Sequence, residues 1–231
     1  MENFWIIGGG KFGFRAAKTL SEANHSNNLT IVERQKAICR QLGTLGFETV
    51  CMDGIQYLEH NLTRAPFPDW IIPAIPAHVA YEWVRAKLSK TDAVKKVAIP
   101  NDLLRALPNP IQGESGQLFI SIADFKCPEN CAEPDEICTH TGKPRLMILH
   151  EFLKSIRHQD FKSIVMRSHQ LAPGVGGYKP EELFNVFKEI KTTRAPVLLS
   201  TACSCHGVMD GIRYSASSLR PKNTAAQLKN G

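Results

Sequence analysis

Five of the seven cysteines fall in two tight groups, CPENCAEPDEIC (127–138) and CSCH (203–206). Thiolates are the ligands that zinc and iron–sulfur clusters select, and four of them close either a tetrahedral ion site or a cluster. The spacing therefore nominates Cys127, Cys131 and Cys138 as metal ligands, with a fourth from Cys203 or Cys205. His206 or His140 could replace one thiol. The run Cys-x3-Cys-x6-Cys is neither the Cys-x2-Cys of a zinc ribbon nor a bacterial ferredoxin motif, so the metal stays open between an iron–sulfur cluster, expected first, and zinc. Cys39, inside a helical stretch, and Cys51, in a strand-like run, read as ordinary buried core thiols.

A second group of residues suits phosphate chemistry. FWIIGGGKFG (4–13) is a strand-like run followed by Gly8-x-Gly10-x-x-Gly13 and a helical stretch. The first glycine permits a tight turn, the second lets a pyrophosphate approach the backbone, and the third allows close helix–strand packing. The helix start then offers free amides to the phosphates. Glu33 ends the next strand-like run, where a carboxylate can accept the adenosine ribose hydroxyls. The expected cofactor is NAD, and Arg34 beside Glu33 keeps NADP in view.

The pieces Ile7-Gly8-x-Gly10-x-Phe12-Gly13, Val32-Glu33-Arg34 and GFETVCMDGIQYLEHNL (46–62) resemble the nucleotide-binding domain of regulators of potassium conductance and potassium-uptake subunits, the RCK family. The resemblance covers residues 4 to about 99. It implies a Rossmann-like NAD-binding domain in which Asp53 helps hold the nucleotide, Pro73 and Ala74 border its pocket, and the chain forms a homodimer. The cysteine-bearing half has no counterpart in that resemblance.

Elements that would position these residues alternate along the chain. Strand-like runs occur at 4–7, 29–33, 48–51, 70–72, 94–99, 118–123, 163–167 and 197–200, with amphipathic stretches at 12–23, 35–42, 55–62, 78–88, 145–156 and 181–190. This alternation predicts an α/β fold, a doubly wound and mostly parallel Rossmann-like sheet with a cysteine-rich C-terminal half. The expected division is a dinucleotide-binding domain over 1–100, a cysteine-rich α/β half over 101–214 and a disordered tail over 215–231. In a parallel sheet the strands' carboxyl ends share one rim, which would bring both cysteine groups beside the glycine loop. His169, Tyr178 and His206 follow strand-like runs on that rim and are candidate proton-transfer groups. His25, His60, His78 and His158 read as surface or helix-end residues, and Trp70 and Trp83 as core.

Composition narrows the classes. Of 231 residues, 43% are hydrophobic and 22% charged, as in globular chains, which excludes a disordered or collagen-like polymer. The formal charge of +6 includes four cations after Asp210, so no specific nucleic-acid binding is expected. No apolar run reaches the length of a membrane span, and the start lacks a secretory signal, so the expected location is cytoplasmic. Three functions fit: an NAD(H)-binding oxidoreductase or electron-transfer protein with a redox partner, a nucleotide-responsive regulatory subunit with structural zinc or redox-sensing thiols, and a metallochaperone or sulfur carrier using Cys203 and Cys205.

Overall fold

The computed structural model describes residues 1–89, 93–134 and 136–215. The tail expected over 215–231 therefore lies, beyond Ser215, outside the described residues.

The first sheet is parallel. It holds β1 (Asn3–Ile7), β2 (Asn28–Glu33), β3 (Glu48–Cys51) and β4 (Trp70–Pro73) in the order β3-β2-β1-β4. The connections α1 (Lys11–Ala23), α2 (Lys36–Thr44) and α3 (Gly54–Asn61) make this a Rossmann-like unit, as the alternation predicts. Its strands β1, β2 and β4 carry Phe4, Ile6, Ile7, Ile31, Val32, Ile71 and Ile72, all buried, because these strands are covered on both faces, whereas β3 at the edge buries none of its residues. The order reverses between β1 and β4, the point at which open α/β sheets bind ligands.

The second sheet departs from the parallel expectation. It contains β5 (Ala93–Val97), β6 (Ile111–Gln112), β7 (Leu118–Ser121), β8 (Lys162–Arg167), β11 (Val197–Ala202) and β12 (His206–Ser215). Only β8 and β11 pair in parallel; β11, β7 and β5 all pair antiparallel to β12, and β6 antiparallel to β7. β12 is the spine of this sheet, with β11 along one edge and β7 and β5 end to end along the other. β5 thus belongs to the second sheet, which begins before residue 101.

The two sheets share a core. α4 (Val79–Ser89) and α7 (Pro180–Thr192) lie between them, and one hydrophobic cluster joins Ile7, Val32 and Leu58 to Trp83, Leu183, Leu199 and Ile212. Trp83 is 2% exposed, with the rings of Phe184 and Phe187 at 6.0 and 5.9 Å. Burial of each Leu, Ile, Val or Phe side chain in such a cluster contributes about 1.5–3 kcal/mol. Trp70, by contrast, is a boundary residue whose indole donates to Glu2 Oε1 at 3.1 Å. A short hairpin, β9 (His169–Ala172) and β10 (Val175–Gly177), leads to Tyr178, which exchanges two backbone bonds with Ile71 beside the first sheet. The remaining helices are α5 (Asn101–Ala106) and α6 (Leu149–Ser155). Among the described residues, no helix is long and apolar enough to cross a membrane.

Candidate functional site

Two places in the fold collect the residues singled out above. The first is a cavity of about 520 Å³ over β1, β2 and β4, lined by Gly8, Gly10, Glu33, Arg34, Asp53 and Ala74 among others. Glu33 is 7% exposed and held from both sides: Oε2 accepts the Gly9 N–H at 2.8 Å and Oε1 accepts the Gln35 N–H at 2.8 Å. Its carboxylate is thereby fixed against the glycine loop. Gly13 lies in α1, and a Cβ there would stand 1.8 Å from the Gly8 carbonyl oxygen, so helix and loop meet only through glycine. Gly10 differs, since a Cβ on it would meet no atom of the chain within 4 Å. The N-cap of α1 is this same Gly10, which has no side chain to bond the free first-turn amides. Asp53 is already engaged, its Oδ1 accepting the Ile55 and Gln56 N–H groups at 3.0 Å as the cap of α3.

The second place is a cavity of about 320 Å³ lined by Cys127, Cys131, Cys138 and Cys205 together with Arg145. Chain segments carrying Cys127 and Cys205, 78 positions apart, meet here because β7 and β11 both run antiparallel to β12, which puts their carboxyl ends at one edge. The shared rim is thus a property of the second sheet and not of one continuous parallel sheet. Local backbone bonds shape each approach. The Cys131 N–H donates to Pro128 O at 3.2 Å, Cys138 and Lys143 close a turn at 2.9 Å, and the Cys203 N–H donates to His206 O at 2.9 Å in the turn joining β11 to β12.

Cys203 stays out of the cavity lining, and its thiol accepts the His206 N–H at 3.3 Å. Burial, then the Glu133 charge, pushes that thiol up to about 12. Burial also raises Cys127, with Cys131 and Cys138 adding to it, and raises Cys205, against which Arg145 acts by donating to its sulfur. Bonds from Thr141, then from the His140 N–H, lower Cys138. Arg145 Nε and Nη2 are buried with no hydrogen-bond partner among the described residues. Nothing in the spacing of the cysteines pointed to this guanidinium. Among the described residues, no group of three His, Cys, Asp or Glu side chains is drawn close enough to hold one metal ion.

The remaining candidates sit elsewhere. His169 Nε2 lies 2.9 Å from Glu182 Oε1 and its ring packs on Trp70, outside both cavities. Tyr178 is 1% exposed with an unpartnered hydroxyl, and burial raises its pKa far above the usual phenol range, as befits a core residue. His206 opens β12 opposite Ser121. His78, expected at the surface or a helix end, does lie at the start of α4 but is 3% exposed: Nδ1 is 3.0 Å from Asp210 Oδ2 and Nε2 is 2.9 Å from Thr201 Oγ1. Cys39 is buried as expected, whereas Cys51 is exposed because β3 is an edge strand.

Comparison with known proteins finds two matched segments. Residues 4–59 match the model of the TrkA-N domain, which bears out the resemblance drawn from the glycine loop and Glu33. Residues 80–215 match a family model described as "Uncharacterized protein, C-terminal domain". A protein of Archaeoglobus fulgidus described as "Uncharacterized protein" is 30% identical over 220 residues, which cover 90% of this chain and 98% of the relative. No solved structure matches the chain. With a matched segment of this extent and a relative aligned almost end to end, the chain belongs to the family defined by that C-terminal domain, carried behind a TrkA-N domain.

Proposed function

We propose that this is an NAD(H)-binding redox protein that carries an iron–sulfur cluster on Cys127, Cys131, Cys138 and Cys205. The observation that supports it most is the convergence of these four thiols, from two distant segments, on one cavity with a guanidinium in its wall. The donor set fits such a group. Thiols are the donors that hold such a cluster, and the cavity of about 320 Å³ that they line would seat one. Thiolate ligation of iron carries net negative charge, and the buried, unpartnered Nε and Nη2 of Arg145 are donors suited to it. Cys205 replaces Cys203 as the fourth ligand because Cys203 is turned into the β11–β12 turn.

The glycine-loop cavity is assigned to the dinucleotide. Glu33 would accept the ribose hydroxyls, and the uncapped start of α1 would hold the diphosphate where Gly10 leaves room for it. A cluster, when bound, passes single electrons, whereas NADH gives up two with a hydride. Nucleotide binding is therefore read as regulating the redox centre and not as reducing it. The TrkA-N match favours the same emphasis and supports a second reading, a nucleotide-responsive regulatory subunit whose thiols sense redox state without a cluster.

Metal and acid-labile sulfide analysis of protein purified without oxygen tests the first reading. The expected result is iron and sulfide in equal amounts. A colourless preparation holding zinc, or no metal, would contradict it and leave the sensor reading standing.

A further inference from the structure

The nucleotide cleft continues past the glycine loop into a second cavity of about 500 Å³, and Gly10, Ala74, Ile75 and Pro76 line both. The far wall is not part of the first sheet's own crossovers; it is the tip of the β9–β10 hairpin from the C-terminal half, Gly174 in its turn with Val175 and Gly176 of β10. That turn also clamps the cysteine loop. A Cβ on Gly174, at φ +72°, would lie 1.9 Å from the Glu129 carbonyl oxygen, and Cys131 O accepts both the Gly174 N–H and Gln170 Nε2 at 2.9 Å.

A second tie reaches the loop from the nucleotide side. Glu129 stands between the thiol-bearing positions 127 and 131, and its carboxylate accepts Lys11 Nζ at 2.5 Å and Arg15 Nη1 at 2.9 Å, both from the first turns of α1. Lys11 lines the second cavity. Its ion pair is solvent-exposed, so it is weak and exchangeable. A diphosphate at the start of α1 brings two charges to the same lysine, against one carboxylate already shared with Arg15.

Resting on the reading of the cleft as a dinucleotide site, we propose that the second cavity takes the nicotinamide-side half of the dinucleotide and that its diphosphate draws Lys11 from Glu129. Occupancy of the cleft then loosens the loop that carries Cys127 and Cys131. The two sites are thereby linked antagonistically: a loop closed on its ligand keeps Lys11 from the diphosphate, and a bound dinucleotide frees the loop.

Iodoacetamide labelling of the full chain, freed of metal with a chelator, reads this directly when Cys127 and Cys131 are followed by peptide mass. Saturating NADH, with binding monitored by its own fluorescence, should raise their labelling rate about two- to fivefold, the range an exposed ion pair can supply. Saturating AMP, which lacks the diphosphate and the second half, should leave the rate unchanged. Glu129→Gln, an exposed change that leaves the core intact, should label at the raised rate without nucleotide. Bound NADH with no change in rate, an equal acceleration by AMP, or a wild-type rate in Glu129→Gln would each overturn the proposal while the cleft reading survives. If NADH does not bind, the cleft reading falls and this inference falls with it.

Discussion

A methyl group at position 13 has nowhere to go, because the Gly8 carbonyl already occupies its place. Gly13→Ala should cost about 1–3 kcal/mol in denaturant unfolding, the usual penalty for overpacking, and should weaken NADH binding as the loop shifts. Gly10→Ala should cost far less stability, since its Cβ is unobstructed in the free chain, yet weaken NADH binding as much or more. A Gly10→Ala variant that binds NADH as the wild type does would show that the diphosphate lies elsewhere. Cys39 supplies a pH test. Burial, reinforced by Cys51, raises its thiol from 9.0 to about 11. As pH climbs above 9 the unfolded chain ionises this thiol first, so stability present below pH 9 is lost toward pH 11. The fall in unfolding free energy across that window should be shallower in Cys39→Ala. At this scale the glycines and the two cysteine groups were legible from spacing. The places of Arg145 and Glu129, and the lining of the cavity by Cys205 and not Cys203, were not, because they depend on how the loop at 127–131 and the turns at 136–145 and 203–206 aim their side chains.

Among elements, β12 is the one that sequence patterning hides. HGVMDGIRYS (206–215) has two glycines and a charge in its middle, no clear alternation, and no turn residues to mark its start. The structure explains each irregularity. Gly211 passes so close to β5 that a Cβ would stand 2.3 Å from Val97 O. Asp210, 1% exposed, is answered by Lys96 of β5 at 2.6 Å and by His78, at the start of α4, at 3.0 Å. A buried carboxylate in a sheet centre is tolerated only with such partners, so this triad fixes where α4 leaves the first sheet and meets the second. Asp210→Ala should destabilise by about 1–3 kcal/mol, because it leaves the buried His78 without its Asp210 partner while Lys96, 36% exposed, can turn to solvent, and His78→Ala should cost less. Equal, small effects in chemical denaturation would mean the network is incidental. The regular elements, from β1 to β4 and from α1 to α4, were readable because strand-like runs and helical period alternate there, with Asp53 capping α3. The β9–β10 hairpin was not, being built from glycine turns with little apolar pattern.

For the molecule as a whole, the shared core predicts one cooperative unfolding transition, with tryptophan fluorescence and far-UV circular dichroism coinciding. Two separated transitions would mean that the halves fold independently. The expectation of a single parallel rim was too simple, since antiparallel pairing on β12 cannot be told from composition. Its consequence survives only in part: two strands that flank the same antiparallel neighbour point the same way, so Cys127 and Cys205 line one cavity, but that cavity shares no lining residue with the glycine-loop cavity. A TrkA-N domain thus supplies the cleft, the C-terminal half supplies the thiols, and Glu129 spans the gap between them. The most direct test of this account is electron paramagnetic resonance of anaerobically purified protein after reduction with dithionite, compared across cysteine variants. The account predicts a reduced-cluster signal in the wild type and in Cys203→Ser that is lost in Cys205→Ser. A spectrum silent in all three, or one that survives Cys205→Ser and disappears with Cys203→Ser, would contradict it.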